Sequence, residues 1–151
     1  MFEKNNGHWG NAFIEIIEEY FPKCKGYKIL EIGGAPGEFL AYFNKEFGYR
    51  VHSVDYSKVG TEKTAENFRL LNIPGKVYQD DIFNPRIDIG EFDIVYSWGV
   101  LHHTGAMYEA MENISLNVKP DGWLCVALYN DQGIFSKYWK FIKRQYVKYR
   151  W

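Results

Sequence analysis

At 151 residues, with 46% hydrophobic and 25% charged residues, the chain has the make-up of one globular domain long enough to bury a core. No apolar run reaches the ~18 residues that span a bilayer. The start, MFEKNNGHWG, has neither the basic region nor the apolar stretch of a secretory leader, so a cytoplasmic location is expected. Cys24 and Cys125 lack neighbouring cysteines for a metal knuckle or redox pair and are expected as reduced, buried thiols. Aromatic residues make up 19%, which points to a cavity or a sizeable interface. The net charge of -1 hides an asymmetry: residues 1–133 carry -7, whereas residues 134–151 carry +6 with no acidic residue. The tail is therefore a different kind of surface.

In chain order, residues 11–20 carry Phe13, Ile16, Ile17 and Tyr20 on one helical face, ended by Pro22. KILEIGG (28–34) then reads as a buried strand, and PGEFLAYFNKEFG (36–48) as a helix stopped by Gly48. RVHSVDYS (50–57) is a second strand, GTEKTAENFRLLN (60–72) a helix ending before Pro74, and GKVYQDD (75–81) a third strand. After a loop come strand EFDIVYSWG (91–99) and helix AMYEAMENISLNV (106–118), then strand GWLCVALYN (122–130) and helix IFSKYWKFIKRQYVKY (134–149). This alternation predicts right-handed crossovers and a doubly wound α/β fold with a mostly parallel sheet covered on both faces.

Open sheets of this kind bind ligands beyond the carboxyl ends of their strands. The first strand ends in Glu31-Ile32-Gly33-Gly34-Ala35-Pro36-Gly37, the second in Asp55-Tyr56, the third in Asp80-Asp81 and the fourth in Ser97-Trp98-Gly99. A dinucleotide loop needs a third glycine where this chain has Glu38. Glu38 and the proline nitrogen of Pro36 also suit a pyrophosphate poorly, because that group needs free N–H donors and no negative charge. No Gly-Lys-Ser or Gly-Lys-Thr follows, so a Walker loop fails as well. A cationic cofactor without phosphate fits these carboxylates, and S-adenosylmethionine is such a molecule. Its ribose needs an acceptor at the end of the second strand, where Asp55 lies 22 residues past Gly33.

Taken together, these segments resemble the class I (Rossmann-like) S-adenosylmethionine-dependent methyltransferases over about residues 28–130. Glu31, Gly33 and Gly37 match the family's [DE]-x-G-x-G-x-G motif, with Ala35 in place of its middle glycine. The resemblance implies that Gly33, Gly34, Ala35 and Gly37 pass under the methionine part, that Asp55 holds the ribose diol and that Tyr56 lies beside the adenine. It assigns Asp81 to the adenine amino group, with Asp80 the alternative register and Ile82 packing on the ring. Ser97, Trp98 and Gly99 match the segment near the transferable methyl group. KPDGWLCVALYN matches the family's Lys-Pro-Gly-Gly turn and fifth strand, with Asp121 in place of the first glycine. The implied sheet order is 3-2-1-4-5, and S-adenosylhomocysteine is the implied product. Asp80 and Asp81 also admit a turn or a metal-binding reading, but no third ligand is visible, so no metal site is expected.

Methyl transfer from a sulfonium needs alignment above all, and a base only where the acceptor must lose a proton. His103 is the preferred base and His102 the second choice, against a plain reading in which both cap or pack a helix. The family's Asn-Pro-Pro-Tyr type of motif for nucleobase amino groups is absent after the fourth strand, and the Leu-His-His run looks more like its small-molecule members. A small methyl acceptor, with a hydroxyl as one candidate, is therefore expected.

The whole chain reads as one domain: an N-terminal helical segment (1–27), a Rossmann-like core (28–130) and a basic aromatic helix (131–151). Family members usually add sixth and seventh strands beside the fifth. A second copy or a partner chain is expected to cover that edge, and a cofactor-binding subunit that works only with a partner is the alternative function. In the tail, Ile134, Tyr138, Phe141, Ile142 and Tyr149 can share one helical face, with Lys137, Lys140, Lys143, Arg144 and Lys148 over the rest. Covering the sheet, lying on a membrane surface, and binding single-stranded nucleic acid are its readings, in that order.

Overall fold

In the computed structural model, which describes residues 24–129 and 133–148 together with Glu15 and residues 19–21, five strands form one parallel sheet ordered β3-β2-β1-β4-β5. This is the order expected. Glu15, Glu19 and Tyr20 are helical, and the remainder of the predicted N-terminal helix lies outside the described residues, as does Tyr149.

The central strand β1 (Lys28–Ile32) is buried after its first residue, because both of its faces are covered. It is followed by α1 (Glu38–Tyr42), which widens into a π-helical turn over Phe43–Phe47 and stops at Gly48. Next come β2 (Arg50–Asp55) and α2 (Lys58–Leu70). The second helix starts two residues before the predicted position because Ser57 caps it, its Oγ accepting the Gly60 N–H at 3.2 Å. Then follow β3 (Lys76–Gln79), β4 (Phe92–Trp98), a short 3-10 turn at Leu101–His103, α3 (Met107–Ser115), β5 (Val118–Ala127) and α4 (Ile134–Lys148).

Alternate residues of each central strand build two cores. Ile29, Val51, Ile94 and Tyr96 face α1 and its π-turn in a cluster containing Phe21, Phe43, Phe47 and Tyr49. Leu30, Ile32, Val54 and Val95 face the other side, with Leu101, Ala110 and Ile114. Much of the aromatic excess thus goes into the first core, where Phe43 stacks on Tyr49 at 5.6 Å and meets Tyr96 edge-on at 5.6 Å.

Three expectations are corrected. Cys24 is exposed in the turn before β1, and Cys125 is only half-buried. The fifth strand begins at Val118 instead of 122, since Phe92 pairs with Val118 and Ile94 with Trp123. The residues between bulge out of the ladder, so the Lys-Pro-Asp-Gly turn lies within the strand. Asp93 anchors this bulge: its carboxylate accepts from Lys119 Nζ at 2.6 Å and from the Lys28 N–H at 2.7 Å. Burial alone would raise its pKa, but these donors hold it below the usual carboxylate range.

Candidate cofactor site at the strand ends

The loop after β1 is shaped by backbone that side chains disfavour. Gly33 has φ +72°, and its N–H donates to the Val54 carbonyl at 2.8 Å, tying the loop to β2. A Cβ on Gly33 would stand 2.6 Å from Val100 Cγ1, so a larger residue meets both strain and a clash. The Ala35–Pro36 peptide is cis, and Gly37 opens α1 as its N-cap.

A cavity of about 320 Å³ opens at the ends of β1, β2 and β3, within the size range of small-ligand sites. Gly33, Asp55, Tyr56, Asp81 and Ile82 line it, so the structure brings together five of the residues singled out by sequence. Asp55 accepts the Ser57 N–H through Oδ1 at 2.7 Å, leaving Oδ2 without a protein partner among the described residues. Tyr56 is 78% exposed at the mouth. Asp81 uses Oδ1 for the Phe83 N–H at 2.9 Å.

Asp80 is differently employed. Buried to 5% exposure, its carboxylate accepts the N–H groups of Asp81, Arg86 and Ile87 at 2.9 Å each and lies 3.6 Å from Arg86 Nε. Burial would raise its pKa, but these donors and the guanidinium hold it below the usual range. It is the hub that folds the loop after β3. A second, larger cavity of about 500 Å³ lies between this loop and the end of α3 and shares Ile32, Val54 and residues 80–83 with the first. Two of its polar side chains tie down the fold, Asn113 Nδ2 donating to the Ile82 carbonyl and Asn117 Nδ2 to the Gly90 carbonyl, both at 3.0 Å, and its lining also includes Arg86 and Asp88. Asp81 lines both cavities, and the carboxylate of Asp55 belongs to the smaller one alone.

Glu31, Gly34, Ala35 and Gly37 flank the cavity without lining it. Glu31 lies beneath the loop, 1% exposed, with its carboxyl directly under the Gly34 Cα; a Cβ on Gly34 would run into it. The Tyr96 hydroxyl donates to Glu31 Oε1, while Oε2 is buried without a partner among the described residues. Burial foremost, opposed by the Tyr96 hydrogen bond and aided by the charge of Asp55, pushes this carboxyl up to about 8.

The residues assigned to the methyl-bearing end lie one strand over. Ser97 is buried and donates to the Ile32 carbonyl at 3.2 Å, so its hydroxyl stitches β4 to β1 instead of facing the cavity. Trp98 is partly exposed, and Gly99 packs near the Tyr129 hydroxyl, which a Cβ would approach to 3.2 Å. His102 and His103 occupy the 3-10 turn beside them, with ring centroids 4.0 Å apart. The His102 ring also meets Tyr129 at 4.3 Å, and both its nitrogens are buried without a hydrogen-bond partner among the described residues. Burial, and then His103, lower its pKa, so it stays neutral near pH 7. His103 is more exposed, its ring edge-on to Tyr129 at 5.9 Å. Sequence reasoning missed Val100, Thr104 and Phe83 in the cavity, and Tyr129 beside the histidines. Tyr129 had a signal, because it follows the end of β5 as the other site residues follow their strands.

The residues fit S-adenosylmethionine. The cavity lining holds Asp55, Asp80 and Asp81 and no lysine or arginine, which suits a cationic, diol-bearing ligand and not a phosphate. Among the described residues, no three potential ligands converge on a metal position, and no helix is long and apolar enough to cross a membrane.

A methyltransferase-domain family model matches residues 6–147. Squalestatin tetraketide synthase clz2 of Cochliobolus lunatus is 26% identical over 130 residues, which are 77% of this chain and 5% of that protein. Phosphoethanolamine N-methyltransferase 2 of Haemonchus contortus, solved with phosphomonomethylethanolamine and S-adenosylhomocysteine, superposes with a TM-score of 0.73 at 22% identity. The match covers 86% of this chain and 32% of that one. YcgJ of Bacillus subtilis gives 0.69 at 18% identity, covering 89% of this chain and 56% of its own. The chain thus spans a small fraction of its synthase relative and one third to about half of these two solved chains. Family model, sheet order and strand-end site agree: the chain belongs to the class I S-adenosylmethionine-dependent methyltransferases.

Proposed function

We propose that this domain methylates a small acceptor that gives up a proton, with His102 as the base. The observation that carries this reading is the unpartnered His102 imidazole beside Tyr129 and Gly99, because buried polar atoms without partners are rare away from functional sites. A neutral imidazole is the form that accepts a proton. S-adenosylmethionine, when bound, would supply an activated methyl group, with S-adenosylhomocysteine as the leaving group. Asp55 Oδ2 would accept from the ribose hydroxyls, Tyr56 and Ile82 would flank the adenine, and Asp81 would accept from its amino group. Holding donor and acceptor in line provides most of the rate, so the work of these residues is alignment. His102 takes the acceptor's proton as the new bond forms, and His103 lies next to it as the route to solvent.

The similarity to a stretch of two fungal polyketide synthases favours an acyl-chain acceptor, with a hydroxyl or an acidic carbon as the methylated atom. The exposed apolar residues of β5 and α4 favour a second copy or a partner chain over them, and with it the reading of a subunit that turns over only in company. The first test is calorimetric titration with S-adenosylhomocysteine of the wild-type chain and Asp55→Ala. Micromolar binding that the variant loses supports the assignment; no binding by a folded wild-type chain sinks it.

A further inference from the structure

The polar strip across the middle of the sheet leads beyond this assignment. In register, Ser53 of β2, Glu31 of β1, Tyr96 of β4 and Cys125 of β5 stand side by side, and their side chains share the face that carries the aromatic core. Two neighbouring residues of this row each carry a buried oxygen without a hydrogen-bond partner among the described residues, Glu31 Oε2 and Ser53 Oγ. A carboxylate 1% exposed on the face that carries the aromatic core, with no cation beside it among the described residues, is costly to leave charged. Only the thin glycine loop separates it from the cofactor cavity.

We propose that cofactor binding is coupled to proton loss at Glu31, whose carboxyl is neutral in the ligand-free chain and becomes a carboxylate under the ligand's ammonium group, releasing its proton to solvent. Tyr96 is the positioning residue, because its hydroxyl keeps one carboxyl oxygen satisfied in both states and leaves Oε2 to change. The groups that face this carboxyl set the direction. Burial and the negative Asp55 at the end of β2 favour the neutral form, and the Tyr96 hydrogen bond favours the ionised one. Cys125, beside Tyr96 on β5, has its own thiol pKa raised by burial and so brings no charge at neutral pH. The ligand cation supplies what the fold withholds. The inference rests on the cofactor reading given above.

The test is calorimetry of the wild-type chain with S-adenosylhomocysteine in phosphate and in imidazole buffer. It is run at about pH 6.5, below the ordinary range of the ligand's α-amino group. The dependence of the measured enthalpy on buffer ionisation heat counts protons. The expected result is release of about one proton per ligand bound, with affinity rising up to about tenfold per pH unit toward neutrality. Glu31→Gln should remove both the release and the pH dependence. Tyr96→Phe, if it folds, should keep the release but shift the affinity curve to higher pH. Binding without proton release, or equal release by Glu31→Gln, overturns the coupling and leaves the cofactor assignment standing. No binding heat from a folded chain overturns both.

Discussion

The ends of β1 to β3 and the ends of β4 and β5 are built to different standards of completeness. In the first region β1 and β2 are buried along most of their length, and the loop geometry is fixed by Gly33, by its hydrogen bond to β2 and by the Asp80 hub. Around β5, Trp123 and Leu124 are 53% and 39% exposed although adjacent strand residues point to opposite faces. Ile134, Tyr138 and Phe141 of α4 are exposed as well, at helical spacing. On the proposed reading the first region is the cofactor platform, and the second is the acceptor end, whose walls the described residues only begin. A fold of this kind can keep the half that all its members share and vary the half that selects the substrate.

If the two halves are separable, damage at the acceptor end should leave the cofactor untouched. His102→Gln is the sharpest probe, since it keeps size and polarity but removes the base. Turnover should fall by about 10²-fold or more, while S-adenosylhomocysteine affinity stays within about twofold of wild type. Comparing initial rates with calorimetric affinity checks this. A joint loss of rate and affinity would show that the histidine turn supports the cofactor loop, and the division into halves would fail. Equal turnover would remove His102 from the chemistry.

The cofactor half should also reveal itself through pH, without any ligand. Glu31 is held at about 8 in the folded chain, against about 4.5 when unfolded, so the native state binds the extra proton between these values. Stability from this group is full below the unfolded value and is lost as pH rises through the folded one, by about 1.4 kcal/mol per pH unit. His52 works the other way. Burial, with Lys28, Lys76 and Arg50 nearby, lowers it to about 4, so stability rises between there and its ordinary 6.5. The two trends oppose below about pH 6.5, and the Glu31 loss stands alone from about 6.5 to 8. Urea unfolding at several pH values in that window should show the decline in wild type and a flatter line in Glu31→Gln. Parallel lines would mean that the carboxyl is ionised throughout.

The cofactor half was the legible one, for a physical reason. Its residues carry their instructions locally: Gly33 for a left-handed turn, Asp55 and Asp81 at strand ends, and buried apolar runs that give β1 and β2 away. What stayed hidden depended on partners distant in sequence. Asp80 looked like a spare acid until the N–H groups of residues 81, 86 and 87 closed on it. Ser97 looked like a site hydroxyl until the Ile32 carbonyl claimed it. The Lys119-Pro120-Asp121-Gly122 run has ordinary turn chemistry and predicts a turn before the strand, yet pairing with Phe92 begins before it. Tyr129 gains meaning only from the histidine turn it packs against.

The smallest expected effect tests the acceptor half most directly. Exposed as it is, Trp123 should contribute little, so Trp123→Ser should cost less than about 1 kcal/mol in the dilute chain. The result depends on concentration if a second copy covers β5, because an interface stabilises by mass action while a surface residue does not. Urea unfolding of wild type and variant at two protein concentrations, tenfold apart, separates the cases. A small cost at both means that Trp123 faces water, and the edge waits for a different chain. A cost that grows with concentration means that two copies complete each other's acceptor side. A cost of about 3 kcal/mol at both concentrations would contradict the comparison itself, since a loss of that size belongs to a packed core residue and would make the second region as finished as the first.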